Sequence, residues 1–292
     1  MKIAYLESSE RNSVKTFQSA KDLPENLREH VRLLVLAIAD TKLLLGFHYA
    51  EWTFGTPALE ASIAACSMSQ DEFGHLRLLH ACLTTQFSEQ PQELLERRAL
   101  STFANVPSLD KPLQSWSEFV AVNLLTDGAM TALLSALQRS AFEPVANFVD
   151  KMVAEEKHHV RNAQGWFRSL ATANAQTQAA LEDSCRRVLV ATLEWLGPSE
   201  QEMTSALTDA GILNTTWSQV RQKFLDWVGP LSEEQRLDIG LEKQNGHWLA
   251  RRALDFSAWN PMTRRCAATQ PDEKLLYHLR GSKNAIFKLG EA

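Results

Sequence analysis

Two short motifs in this chain have the residue types and spacing of metal ligands. Asp71-Glu72-Phe73-Gly74-His75 and Glu155-Glu156-Lys157-His158-His159 each contain a Glu and a His three positions apart. On a helix, residues so spaced share a face, so each motif can present one carboxylate and one imidazole to a common point, half of a metal site. The neighbouring residues decide which pair faces inward. Ala61, Ala65, Met68, Glu72, His75 and Leu79 form a row that is otherwise apolar. Such a row points into a core, where a carboxylate without a partner is costly. In the second motif the apolar row is Val145, Val149, Met152, Glu156, His159, Ala163 and Trp166, whereas the row through Glu155 carries Lys151, His158 and Asn162. Glu156 and His159 are therefore the inward pair. Glu155 and His158 belong to a flank or the solvent face, as a salt-linked pair or as support for the ligands.

A carboxylate-bridged metal pair in a helical bundle needs one more acid from each of two other helices. Asp127 lies in the row Val120, Leu124, Thr131 and Leu134 and is the only acid in the middle of its stretch. Counted from the turn near Ala141, Asp127 and Glu156 lie about equally far along antiparallel helices, and so at one height. In the first long stretch, the positions level with Glu72 are 36 to 42, which leaves Asp40 and Lys42 as the polar choices. Two residues along a helix differ by about 200°, so a regular helix turns only one of them to the site. Both have apolar neighbours one turn away, and periodicity leaves both open. Asp40 has the chemistry of a ligand; Lys42 could serve only as a hydrogen-bonded or charge-compensating neighbour unless deprotonated. Carboxylates with imidazoles suit iron, or manganese, rather than a thiolate-bound zinc. The expected ligand set is Asp40, Glu72, His75, Asp127, Glu156 and His159, holding two iron ions with dioxygen as co-substrate. Such a cofactor performs the oxidation, and the protein supplies shape and electrostatics.

The elements that must position these groups read as helices. Gly and Pro number only 12 and 10 in 292 residues, and apolar residues recur every three to four positions. Helix one is expected over about 27–52, ending at Thr53-Phe54-Gly55-Thr56-Pro57, where Thr56 can cap helix two and Pro57 can occupy its first turn. Helix two reaches about residue 87. Positions 88–112, with Pro91, Pro107 and Pro112, read as a long connection containing one short helix. A third helix spans about 116–140, and Pro144 starts a fourth that ends near Thr172. Two helical hairpins joined by a longer crossover are the outline of a ferritin-like four-helix bundle. Beyond it come helical stretches at 181–196, 200–210 and 217–228, broken at Gly197-Pro198, and a less regular tail from Glu242. No repeat or composition step marks a boundary. The expectation is an all-α single domain over 1–292, with a core bundle at about 27–172 and additional C-terminal helices over 173–292.

These residues resemble the phenylacetate-catabolism branch of the ferritin-like di-iron proteins, in particular its ring-1,2-epoxidase catalytic subunits. The matching stretches are Gln70 to His75, Leu124-Leu125-Thr126-Asp127-Gly128-Ala129 and Glu155 to His159, with Trp52 and Pro57 in step. The likeness covers about residues 30–170 well, and more loosely Glu194-Trp195-Leu196-Gly197-Pro198 and Arg251-Arg252. It implies Glu72, His75, Asp127, Glu156 and His159 as ligands, in agreement with the rows. It departs in helix one: Lys42 falls where those subunits supply a glutamate, while Asp40 and Glu51-Trp52 match the family's metal-free companion subunit.

Two functions follow as expectations. The first is an oxygen-dependent di-iron oxidoreductase (a hydroxylase, epoxidase, N-oxygenase or desaturase) acting on a small organic or thioester-linked substrate. Its pocket would be lined by Met68, Phe73, Met130, Met152 and Trp166. Electrons would come from an external reductase, since no glycine-rich flavin or nicotinamide motif is present. The alternative, favoured by Lys42, is a non-catalytic scaffold subunit of a multicomponent oxygenase. Either implies a homo- or hetero-oligomer. The net charge of -5 argues against nucleic acid. The most apolar run, 33–50, contains Asp40, Lys42 and His48, which argues against a membrane span. Cys66, Cys82, Cys185 and Cys266 have no paired spacing, and the first 15 residues lack the apolar stretch of a secretory signal, so a cytoplasmic location is expected. Glu96-Arg97-Arg98 and Arg264-Arg265 read as solvated charge. The five tryptophans of the last third suggest helix packing or contact with another subunit.

Overall fold

In the computed structural model, the described residues are 16–199 and 201–280. The N-terminal 15 residues, position 200 and the end of the 272–292 tail lie outside them.

Four long rods form the bundle. Helix α1, Glu25–Trp52, is its most enclosed member: every residue from Leu33 to Tyr49 except Leu36 is buried. A helix apolar on all sides belongs at a centre. Helix α2, Leu59–Phe87, pairs with it as the first hairpin and stops at Ser88, in the left-handed region with φ 60°. It begins later than Thr56 and Pro57 suggest, because the Thr56 hydroxyl donates to the Ala58 carbonyl and pairs with Ser62 Oγ instead of capping a turn. At Gly46 the two helices touch: a Cβ there would stand 3.1 Å from Glu72 Cβ, and the Ser69 hydroxyl donates to the Gly46 carbonyl at 2.8 Å. Close approach at this level brings α1 within reach of Glu72.

The third rod, α3, spans Trp116–Leu137. The Ser115 hydroxyl caps it by accepting the Glu118 N–H. Its middle, Val122–Asp127, is π-helical and wholly buried. Helix α4, Glu143–Ala171, has Pro144 in its first turn as expected and returns antiparallel to α3. Both α1 and α3 are long and apolar enough to cross a membrane by length and composition, and in each 83% of the relevant window is buried within the fold. Core helices of a bundle satisfy the same criteria.

The crossover between hairpins carries one helical turn at Pro91–Leu94 and 3-10 turns at Leu100–Thr102 and Pro107–Leu109. Helix α5, Ala175–Leu196, starts earlier than its apolar pattern because Asn174 caps it, accepting the Thr177 N–H at 3.0 Å. Helices α6, Glu202–Asp209, and α7, Trp217–Gln235, follow; α7 runs through Pro230 and so outlasts its expected end. A short antiparallel hairpin, β1 at Leu241–Gln244 and β2 at His247–Ala250, turns at Asn245-Gly246, both with positive φ. Helix α8, Glu273–Leu279, is the last described element.

Three arginines expected in solvent are interior. Arg264 donates to the Trp195 and Leu196 carbonyls at 3.0 Å each, closing the end of α5, and lies within 4.8 and 4.9 Å of the Trp195 and Trp217 ring centres. Arg265 forks onto Asp110 at 2.6 and 2.9 Å and donates to Asn105. Arg98 forks onto Asp40, as described below. Charge predicts exposure only where no buried acid or row of orphan carbonyls waits for it.

Candidate metal centre

Glu72 on α2, Asp127 on α3 and Glu156 on α4 converge at the middle of the bundle with His75 and His159, and each is at most 1% exposed. Lys42 of α1 stands among them. Its ammonium donates to Glu156 Oε1 at 2.6 Å, Glu72 Oε1 at 2.9 Å and Asp127 Oδ1 at 3.1 Å. Burial by itself would lower the lysine pKa, but the Asp127, Glu156 and Glu72 charges outweigh it and hold the ammonium well above the ordinary range. Burial likewise pushes the Asp127 carboxyl upward, and the Lys42 and His159 charges reverse this, leaving it well below the usual value. Glu156 ends on the other side: burial, reinforced by the Asp127 charge, raises it.

Of the two α1 candidates, it is Lys42 that stands at the cluster. Asp40 is not among the converging groups; it is held away from them by Arg98, whose two terminal nitrogens meet its oxygens at 2.7 and 2.9 Å, and by the Ala104 N–H at 2.8 Å. The other five expected residues are brought together, and the sixth place is filled by Lys42.

The two imidazoles are set by a reciprocal arrangement. His75 turns Nδ1 inward, 3.4 Å from Glu156 Oε1 and 3.7 Å from Glu72 Oε2, and its Nε2 meets Glu155 Oε2 of the facing helix at 2.9 Å. His159 turns Nδ1 inward, 2.9 Å from Asp127 Oδ2, and its Nε2 faces Asp71 Oδ2 at 3.4 Å. Each doubled acid thus supplies one inward carboxylate and one outward partner for the opposite helix's histidine. Burial disfavours both imidazolium forms, yet the carboxylates prevail: Glu156 and Glu72 raise the His75 pKa to about 9, and Glu156 and Asp127 raise His159 well above its ordinary value.

Asp127 is the most heavily bonded acid. The Tyr49 hydroxyl donates to its Oδ2 at 2.9 Å, and the Asn123 amide reaches the same oxygen at 3.4 Å and the Tyr49 oxygen at 3.1 Å. Asn162 holds Asn123 in turn, and the Thr131 hydroxyl donates to Glu156 Oε2 at 3.1 Å. Residues four apart share a helix face, which sets Asn123 beside Asp127. Row counting misses this support. Tyr49, two turns after Lys42, and Asn123, four before Asp127, carry the signal in their spacing only once Lys42 is known to face inward.

The donor set has the character of a metal site. Glu72, Asp127, Glu156 and His159 each offer a ligand atom, all within 4.8 Å of one another. Glu72 Oε2 and His75 Nδ1, both buried, make no hydrogen bond at all. His75, with one nitrogen free inward and the other tied to a carboxylate, is oriented as a metal ligand is. Divalent metal fits this set, and Lys42 occupies one oxygen of each inner acid.

Of the five expected pocket residues, Met68, Met130 and Met152 are core and Phe73 and Trp166 pack against it. The cavity adjoining the cluster lies elsewhere: it has a volume of about 390 Å³, includes Thr131, and is bounded by Trp227 and Phe224 together with Lys157, Arg161 and Lys223. A larger cavity of about 660 Å³, ringed by Arg186, Arg187, Arg251 and Arg252, shares no residue with the cluster.

Fold and site together define a ferritin-like helical bundle with a buried carboxylate–histidine cluster. The chain belongs to the phenylacetic acid catabolic protein family, whose profile matches residues 14–254. It is similar to one of the subunits of 1,2-phenylacetyl-CoA epoxidase from Escherichia coli (strain K12), with 26% identity over 208 residues, 68% of this chain and 66% of that relative.

Proposed function

We propose that this chain is an oxygenase-type oxidoreductase that uses iron at the central cluster to oxidise a small organic substrate carried as a thioester, within a multi-subunit assembly. The observation that carries this reading is the reciprocal pair of histidines, each with Nδ1 inward and Nε2 tied to Asp71 or Glu155. The residues that would hold metal are drawn from Glu72, His75, Asp127, Glu156 and His159. Bound iron would supply the reduction of dioxygen and the oxidation of the substrate.

The rest of the work falls to the chain. Enclosure of the cluster excludes water, which keeps its electrostatic interactions strong. Thr131 connects Glu156 to the adjoining cavity, whose apolar wall of Trp227 and Phe224 suits an acyl group and whose Lys157, Arg161 and Lys223 suit an anionic carrier. The relative belongs to an epoxidase named for phenylacetyl-CoA, which makes that thioester the first compound to try and a hetero-oligomer the assembly to expect. Electrons would come from an external reductase.

The test is anaerobic purification, ferrous reconstitution and metal analysis, followed by oxygen uptake with a reductant and phenylacetyl-CoA and mass analysis of the product. Retained iron and a product heavier by oxygen are expected. Failure to retain iron would refute the reading. Lys42 favours a second reading, in which the cluster is a buried salt-bridge core of a scaffold subunit; metal-free protein that nonetheless stabilises a catalytic homologue would establish it.

A further inference from the structure

We propose that Lys42 is a resident cation standing where a second metal would be, and that the cluster takes a single divalent ion held by Glu72, His75 and Glu156. This rests on the reading above that the cluster binds metal, and specifies how many ions and where.

The two hairpins are built on one plan. Hairpin two contributes Asp127, the doublet Glu155-Glu156 and His159; hairpin one contributes Lys42, the doublet Asp71-Glu72 and His75. Lys42 is thus the counterpart of Asp127, and a cation stands where the plan has an acid. Its ammonium does not stay on its own side but reaches across to Asp127 at 3.1 Å, while also holding Glu72 and Glu156.

The two halves of the cluster consequently differ in what they still need. On the Asp127 side both carboxylate oxygens have partners: Lys42 on Oδ1, and Tyr49 and His159 Nδ1 on Oδ2. An ion there would have to break bonds already made. On the His75 side only the Glu156 oxygen is already engaged, by Lys42 at 2.6 Å: Glu72 Oε2 and His75 Nδ1 stand 3.7 Å apart without a hydrogen bond, and Glu156 Oε1 is 3.4 Å from the same nitrogen. Two unpartnered, fully enclosed donors beside a third are what a cation would complete. The grouping of Glu72, Asp127, Glu156 and His159 is spatially tighter, but Asp127 and His159 already bond each other at 2.9 Å, so the half with unmet donors is the better seat.

Asp71 and Glu155, at 28 and 29% exposure, lie at the rim and answer to the outer ring nitrogens.

The experiment loads full-length protein anaerobically with Fe(II), removes excess by gel filtration and measures iron per chain, with Mn(II) electron paramagnetic resonance as a second readout. Wild type is expected to hold about one ion per chain with the signal of an isolated Mn(II), and K42E about two with a coupled-pair signal. H75A is expected to weaken binding at least about tenfold, and H159A to retain about one ion. Two ions in wild type, K42E unchanged at one, or loss in H159A with retention in H75A would each overturn the assignment. Should K42E not fold, K42Q replaces it: removing the ammonium without adding a donor is expected to tighten the single ion about tenfold or more, and unchanged or weaker binding would overturn it. No metal in wild type would defeat the proposed function as well, whereas two ions would defeat only the single-ion assignment.

Discussion

Replacing Arg98 with Met isolates the clamp that holds Asp40 out of the centre. Asp40 is 1% exposed and takes two charged bonds from Arg98, at 2.7 and 2.9 Å, against one backbone bond from Ala104. Arg98 also lies 4.4 Å from the Phe103 ring centre and donates to the Thr102 carbonyl, so it fastens the crossover to α1. Removing one member of a buried pair leaves the other charge uncompensated, which costs about 3–5 kcal/mol. At about 2–4 °C per kcal/mol for a chain of this size class, the midpoint of thermal unfolding should fall on the order of 10 °C. Urea unfolding followed by circular dichroism measures the cost. Adding Asp40→Asn to Arg98→Met removes the stranded charge, so the double variant should lose less than the two single costs combined, with a coupling of about 0.5–3 kcal/mol. Asp40→Asn alone should leave metal content unchanged. A cost below about 1 kcal/mol for Arg98→Met, or metal lost from Asp40→Asn, would refute the reasoning.

Three further outcomes are expected. Glu155→Gln should weaken metal binding about 10–100-fold without changing the ligands, read by competition with a chelator, because it orients His75 from outside, whereas Asp71→Asn, which faces His159, should leave binding unchanged. His48 is buried with Nε2 on the Leu109 carbonyl and its pKa pushed down to about 4 by burial. The folded state therefore keeps it neutral where the unfolded chain takes up a proton: stability is full above pH ~6.5 and declines toward pH 4, by about 3 kcal/mol in all. Urea titrations across that window should show a shallower decline for His48→Gln. Gly229→Ala would drive a Cβ into the Trp248 indole, forcing the β hairpin off α7; a loss of about 1–3 kcal/mol and a red shift in tryptophan emission are expected.

Glu72, His75, Glu156 and His159 are legible in the sequence because each sits in a row of small or apolar residues, where a titratable side chain stands out. Asp127 is legible for the same reason and because its height matches Glu156. Asp40 and Lys42 are not separable, since α1 is enclosed on nearly every side and supplies no polar face against which to orient them. What decides between them is Arg98, 58 positions away, whose charge alone points to solvent. Arg264 and Arg265 mislead in the same way, and their partners are likewise distant in sequence. The π-helical turn at Val122–Asp127 has no compositional mark. The β hairpin does carry one: Asn245-Gly246 is the favoured pair for a two-residue turn with positive φ at both positions.

The bond from Arg265 to Asp110 bridges 155 positions. During translation at about 5–20 residues per second, the ribosome delivers that arginine roughly 8–30 s after the acid it neutralises. Over this interval a nascent chain whose four rods have all emerged still carries a link between its hairpins that Arg265 has not fastened. A message truncated between codons 172 and 265 would yield a product with every metal donor in place and a crossover fastened by Arg98 but not by Arg265, a natural client for chaperones and proteases.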